Sequence, residues 1–576
     1  MSAFMQEKNS TFAAADVEIV QLGGGVTEIR SRAVPSLAPV TTLHWLRHWA
    51  NLTPTAIVLS EVRDGHRVTC DYASVWSAVV GAAHALRGHG VSRGDRVVVI
   101  ASNSIDSFVA GHAAMLAGAI WVPVATQYLG VEADPTRIAA VFDSVDPSLV
   151  LVPDGAQRDR VPTGYEVIDR IHQEPTDTVE SDAIALLQAC SGDDVAKLLL
   201  TSGSTGIPKA VVYTHRMLVS NVRATADVWT FVTDHPPVLV DWLPWNHAFG
   251  GNANLNMVLL GGGTLHIDDA HGRPSELGRS IASITALQPT FYAAVPASFH
   301  AMLPALEADE HFRRAFFGRC DALFSAGAAM PASTFERLRA LSSTVRSSPV
   351  PVLTGWGSTE VGPGATIVHR SDSASGWIGP PLPGVTLRMV PVADKYELRV
   401  SSNGVTPGYW RDPERTAMAF DADGFYCSGD AGILVDDQMP ELGLRFDGRI
   451  ADDFKLSNGS WVNVDRLRSR LLSLAGTSVR DVVIAGPDRA HLVALFWLAA
   501  GATLDVQKVL HAHNTTTSGQ TNVIVAGAVL DTDPSAELLS SKGLIKPAVF
   551  RVAEHSTIDA LYATATNSTK EDYDRS

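Results

Sequence analysis

The stretch Leu198-Leu199-Leu200-Thr201-Ser202-Gly203-Ser204-Thr205-Gly206-Ile207-Pro208-Lys209-Ala210 sets an apolar strand ahead of a loop of hydroxyls, glycines and a single lysine. Glycines let backbone N–H groups approach phosphate oxygens, serine and threonine hydroxyls add donors, and Lys209 brings a compact positive charge. The candidate phosphate contacts are therefore Thr201, Ser202, Gly203, Ser204, Thr205, Gly206 and Lys209. A P-loop needs its lysine directly after a glycine, then Ser or Thr, then a helix. Here Lys209 stands between Pro208 and Ala210. The following Ala210-Val211-Val212-Tyr213 is β-branched and aromatic, which predicts a second strand, with a helix only after Thr214. Strand, phosphate loop, strand is a different device.

A chain of 576 residues is too long for one core, so two or more domains are expected. The formal net charge of −16 argues against broad nucleic-acid or anionic-membrane binding, so an anionic nucleotide must be held by local cations. Cys70, Cys190, Cys320 and Cys427 lack metal-ligand spacing, which suits a reducing cytoplasm. The N-terminus shows no cationic start with an apolar run, and Leu492 to Leu504 is too short to span a bilayer. His511 and His513 lack a third metal ligand. A cytoplasmic monomer or homodimer with small-molecule partners is expected. From about Thr42 to His369, helical patterns alternate with apolar runs such as Arg96–Ile100 and Ser148–Val152, predicting α/β layers with mostly parallel sheets. From Gly376 to about Arg445 short strands with Gly and Pro turns predict a small β-barrel-like lobe, with Asp412 capping a helix that starts at Pro413. A smaller α/β unit follows Arg449. The predicted fold is α/β, with a large N-terminal domain, 1–450, and a smaller mobile C-terminal domain, 451–576.

The phosphate loop resembles the signature of the acyl-adenylate-forming superfamily, which includes acyl-CoA synthetases, luciferases and peptide-synthetase adenylation domains. Thr354-Gly355-Trp356-Gly357-Ser358-Thr359-Glu360 resembles that superfamily's Tyr-Gly-x-Thr-Glu element. The resemblance implies that Glu360, with Thr205, holds Mg²⁺, that Thr359 meets a phosphate oxygen, and that Trp356, Gly357 and Ser358 line the nucleotide. Trp356 stands where many relatives have Tyr, so an aromatic wall survives and a phenolic hydrogen bond does not. Ser325-Ala326-Gly327 resembles the small-residue segment on which adenine lies. Tyr426-Cys427-Ser428-Gly429-Asp430 resembles the ribose element, with Asp430 accepting from the sugar hydroxyls and Arg449 reaching the ribose as well.

By the same resemblance, Asp447 to Lys455 is the crossing between domains. Ala451 takes the hinge position, where many relatives carry Asp or Lys. Lys455 to Val462 reads as a hairpin turned at Asn458-Gly459, in relatives the hairpin that swings in for the second half-reaction. Lys455 and Gly459 are assigned to the nucleotide and the pantetheine arm. A C-terminal lysine should stabilise charge as a carboxylate attacks the α-phosphate. Lys542 matches the pattern better, and Lys546 is the alternative.

Asp241 to Asn252, Gly263 to Asp269 and the crossing are closer to the feruloyl-CoA synthetase branch. That resemblance places His247, Phe249, Gly250, Val295, Pro296 and Phe299 at an acyl pocket, a flat apolar slot suited to an aromatic acid. The expected activity is an ATP-dependent aryl acid:CoA ligase using ATP, Mg²⁺ and CoA, through acyl-AMP with release of pyrophosphate. Two alternatives stay open: adenylation of benzoate-type or other acids with transfer to a carrier protein or amine, and a motor or switch ATPase, against which the loop order speaks.

Overall fold

The computed structural model describes residues 11–563 except 131–132, 154, 156, 170, 172–175, 202–207, 459, 500, 518–521, 536–537 and 540–544. Near-continuous apolar runs become strands covered on both faces. A six-stranded sheet runs in the order Lys209–Thr214, Val195–Thr201, Ile120–Val124, Arg96–Ile100, Leu149–Leu151, Val167–Ile168. Its neighbours are parallel except Lys209–Thr214, which pairs antiparallel with Val195–Thr201. Strand side chains alternate between faces, so Val97, Val99, Trp121, Leu199 and Tyr213 enter one core and Val98, Ile100, Val122, Leu198 and Val212 another. Lys209 is the register partner of Thr201, which brings the two ends of the loop together. The helix His215–Val228 starts where expected, with Thr214 Oγ1 accepting the Met217 N–H at 3.3 Å.

Two four-stranded sheets complete the α/β layers. One has the order Val238–Asp241, Thr264–Ile267, Ile57–Arg63, His66–Asp71, and the other Phe291–Ala294, Ala322–Ser325, Val352–Trp356, Thr366–Ile367. In the second, the first three strands are parallel, with Ala294 level with Ser325 and Ser325 with Thr354. The helices Pro296–Ala308, Glu310–Phe317 and Ala332–Ser343 close a core of Phe299, Phe312, Phe316 and Phe335 beside it.

The antiparallel lobe is larger than its sequence pattern implies. It is a seven-stranded sheet, because Val17–Gln21 and Thr27–Ser31 add to Thr386–Val392 ahead of Lys395–Ser401, Tyr426–Leu434, Leu444–Arg449 and Trp377–Gly379. Asp412 caps Pro413–Met418 as expected, accepting from Arg415 N at 3.0 Å. Beyond Arg449, Val479–Ala485, Leu492–Leu498 and Ile524–Val529 form a separate three-stranded sheet. The apolar run at Leu492 is its central strand, with Leu492, Ala494 and Phe496 in one cluster and Val493, Leu495 and Trp497 in another. Among the described residues, no buried cluster mixes residues from before and after Ile450. The two parts meet through polar contacts, including the buried Lys395–Asp453 ion pair and Asn463 Nδ2 donating to Asp447 Oδ1 at 2.9 Å. No described helix is long and apolar enough to cross a membrane.

Candidate active site

Parallel strands present their carboxyl ends on one edge, where open α/β sheets receive ligands. Val295 follows Phe291–Ala294, Ser325 closes Ala322–Ser325, and Trp356 closes Val352–Trp356. Residues far apart in sequence thus stand side by side. Among the described residues Ser325 Oγ is buried without a partner, and Gly327 has φ +89°. Thr201 Oγ1, at the entry to the candidate phosphate loop, is also buried and has no partner among the described residues. At Gly357 a Cβ would lie 1.9 Å from the Pro363 carbonyl oxygen, so only glycine fits. Ser358 Oγ accepts the Glu360 N–H at 3.2 Å and caps the short 3₁₀ turn Thr359–Val361. Residues 202–207, which include Ser202, Gly203, Ser204, Thr205 and Gly206, lie outside the described residues.

Lys209 carries the loop's end onto this turn. Its ammonium donates to Glu360 Oε1 at 2.7 Å and to Tyr409 Oη at 2.9 Å, and the Tyr409 hydroxyl donates to the same Oε1 at 3.0 Å. Burial alone would push the Glu360 carboxyl up, but the charge and hydrogen bond of Lys209 hold it below the ordinary glutamate range. It is therefore ionised at neutral pH. Both of these side-chain bonds end on Oε1, and a buried, ionised carboxylate is the hard oxygen ligand that Mg²⁺ takes. The Tyr213 hydroxyl donates to the Thr359 carbonyl, and Thr406 N donates to the Glu360 carbonyl at 2.8 Å. The turn is thus held from both sides.

Asp430 gathers the second group. Its Oδ1 accepts from Arg449 Nε at 2.9 Å and its Oδ2 from Trp356 Nε1 at 2.9 Å. The Trp at the usual Tyr position therefore loses a phenol and gains an indole N–H aimed at the candidate ribose carboxylate. Trp356→Phe keeps an aromatic face and removes one bond to a charged acceptor. It should raise KM for ATP about three- to tenfold, less than the full worth of such a bond because a sugar hydroxyl or water can compensate. Pyrophosphate-release kinetics check this, with KM for the acid expected to hold constant.

On the acyl side, Phe249 packs edge-on against Phe324, the neighbour of Ser325, at 5.5 Å between ring centroids. The candidate acyl and candidate adenine segments therefore touch. His247 is half-buried, and its backbone N–H donates to the Pro244 carbonyl at 3.1 Å. Val295 is partly exposed ahead of Pro296, the first residue of its helix. One expected contact is placed otherwise. Phe299 is fully buried against Tyr292, at 5.6 Å, in the core behind the sheet. A Cβ on Gly250 would lie 2.3 Å from the Leu243 carbonyl oxygen, so only glycine fits there.

These stations are distant in sequence and joined in space by two bonded groups. The model of the AMP-binding enzyme family matches residues 46–410. The chain belongs to this family. A 3-[(3aS,4S,7aS)-7a-methyl-1,5-dioxo-octahydro-1H-inden-4-yl]propanoyl:CoA ligase of Rhodococcus jostii (strain RHA1) is 27% identical over 472 residues, 76% of this chain and 86% of that protein. A feruloyl-CoA synthase of an Amycolatopsis species is 30% identical over 415 residues, 68% of this chain and 76% of the relative. Among solved structures, the anthranilate CoA ligase AuaEII in complex with anthranoyl-AMP superposes with a TM-score of 0.72 at 17% identity, covering 89% of this chain and 98% of that one. This AMP-binding enzyme is an AMP-forming acyl-CoA synthetase that works through acyl-AMP, with ATP, Mg²⁺ and CoA as the family's cofactors and co-substrates.

In the C-terminal part of this AMP-binding enzyme, Phe454–Lys455 pairs with Trp461–Val462 as the hairpin expected there. Its closing bond runs from Leu456 N to the Ser460 carbonyl at 2.9 Å, so the connection is longer than the two-residue turn that Asn-Gly suggested. Lys455 is exposed, with its ammonium 5.0 Å from the Trp461 ring centroid. Gly459 and Lys542 lie outside the described residues. Lys546 precedes the helix Pro547–Ala553, its N–H bonded to the Leu538 carbonyl at 2.8 Å. Sequence reasoning missed Tyr213, Tyr409 and the bonded role of Trp356. Their hydroxyls and indole are ordinary in a strand or a Gly-Tyr-Trp turn, and no spacing marks them.

Proposed function

We propose that this acyl-CoA synthetase activates aromatic carboxylic acids, with hydroxycinnamates such as ferulate or coumarate first and benzoates next. The observation that supports this reading is the Phe249–Phe324 contact, which sets two aromatic rings, packed edge to face, beside the small-residue segment Ser325–Gly327. The similarity to a feruloyl-CoA synthase supports it.

In the proposed reaction the acid's carboxylate oxygen attacks the α-phosphorus of ATP, and the bond to the bridging oxygen of pyrophosphate breaks. Ser325 to Gly327 and Trp356 hold adenine, Asp430 and Arg449 hold the ribose, and Lys209 with the 201–206 loop holds the phosphates. Glu360 and Thr205 are the proposed Mg²⁺ ligands, where the ion would neutralise charge building on the phosphoryl oxygens. Thr359 and Lys542 add donors to the same group. The C-terminal domain, 451–576, then turns about Ala451 and presents the Lys455–Val462 hairpin. The CoA thiolate attacks the acyl carbon and AMP leaves with the bonding electron pair.

The test is a panel of aryl, benzoate-type and medium-chain acids, with products identified. AMP and pyrophosphate with an aryl-CoA thioester are expected. Turnover confined to aliphatic acids would reject the aromatic assignment, and acyl transfer only to a carrier protein or amine would reject free CoA as acceptor.

A further inference from the structure

Lys197 is a buried cation that the reaction scheme leaves unused. Its side chain is 2% exposed, and among the described residues no carboxylate pairs with it. It sits mid-row in the six-stranded sheet, level with Trp121 on one neighbouring strand and Tyr213 on the other. The ammonium lies 4.0 Å from the Trp121 ring centroid and donates to Asn252 Oδ1 at 2.9 Å and to the Gly251 carbonyl at 3.3 Å. An ammonium in such surroundings is costly, and burial pulls its pKa down to about 7. An apolar residue would satisfy a purely structural need at that point of a core strand.

What the ammonium grips is irregular. Phe249–Asn254, separated from His247 by one residue, is a π-helical turn, a form that is rare and concentrated at functional sites. Gly251 is pressed so close to the Trp245 carbonyl that a Cβ would lie 2.1 Å from its oxygen. The turn's far end is tied by Asn254 Nδ2 donating to Asp241 Oδ2 at 3.1 Å. Lys197 binds its middle. Tyr213, next in the row, neighbours the Asn252 carboxamide, whose nitrogen has no aligned partner among the described residues, and donates its own proton to the Thr359 carbonyl. One row of strand residues therefore props both the acyl segment and the turn that carries Glu360.

We infer that Lys197 is a positioning residue for the carboxylic acid: its ammonium pins the Phe249–Asn254 turn, and with it His247 and Phe249, in register with the Thr359–Glu360 turn. The inference rests on adenylation by this chain and on the proposed acyl side, and it is independent of which acid is used.

Lys197→Met keeps the length and apolar stem while removing the donor. In pyrophosphate release with whichever panel acid the unaltered enzyme uses, KM for the acid should rise about tenfold or more, as loss of a buried donor that leaves two acceptors unsatisfied implies. KM for ATP should stay within about twofold. Amide exchange should accelerate at residues 249–256 and remain unchanged in the Lys209–Thr214 strand. Asn252→Leu, which leaves the lysine in place, should raise the acid KM by a similar factor, and the double variant should be no worse than either single change. Unchanged acid KM and exchange, a uniform loss on both substrates with a lowered Tm, or additive effects in the double variant would each overturn the assignment. If Lys197→Met does not fold, Asn252→Leu alone decides, since a normal acid KM there overturns it as well. Failure of aryl acids in the panel counts against the substrate class only.

Discussion

Glu360→Gln should lower kcat/KM for pyrophosphate release about 10²- to 10³-fold, the scale seen when one preorganised electrostatic partner of a transition state is lost. The substitution keeps the shape and removes the charge that Lys209 and Tyr409 face at 2.7 and 3.0 Å. It also removes the proposed Mg²⁺ ligand. Because Glu360 is buried, the variant leaves the Lys209 ammonium opposite a neutral amide, and breaking a buried pair costs up to about 3–5 kcal/mol. The loss should fall below that range because Lys209 keeps 23% exposure. The pH dependence has a definite sign. The Glu360 carboxyl is held lower in the folded protein than in the unfolded chain, so its contribution is present above the ordinary glutamate range and is lost as pH falls through the lowered value. Thermal unfolding from pH 7 to pH 3 should show a shallower acid-side decline in the variant. Adenylation within about fivefold of the unaltered enzyme would remove Glu360 from the reaction.

Lys542→Ala should cost adenylation a similar factor of about 10²–10³ while sparing thioester formation from a supplied acyl-adenylate. The selectivity follows from the chemistry. Charge accumulates at the α-phosphorus in the first step, whereas in the second the phosphate is a leaving group and the attack falls on the acyl carbon. Lys546→Ala is the informative partner experiment. Lys546 sits at the N-terminal boundary of Pro547–Ala553, directly after the buried Ile545. Loss of the first step in Lys546→Ala with normal Lys542→Ala would exchange the two assignments.

The strand pattern was legible because its signals are local. Arg96–Ile100 and Ala210–Tyr213 carry β-branched runs, and Thr214 and Asp412 are side-chain caps whose hydrogen bonds span three residues. The strands Val17–Gln21 and Thr27–Ser31 were not legible as part of the antiparallel lobe, since their partner Thr386–Val392 lies hundreds of residues away. A hairpin's own sequence says nothing about which sheet edge it will join. Phe299 reads equally well as pocket lining or core, and the helix Pro296–Ala308 turns it inward onto Tyr292.

Sequence by itself determined the family and the order of its motifs along the chain, because each depends on residue types at short, fixed spacings. Tertiary structure alone decided which side chains meet. It paired Lys209 with Glu360 and Tyr409, turned the Trp356 indole onto Asp430, and buried Lys197 against the Phe249–Asn254 turn. Those pairings arise where parallel strands end on a common edge and where neighbouring strands fix cross-strand rows, and such register is a property of the assembled sheet that no stretch of chain encodes alone.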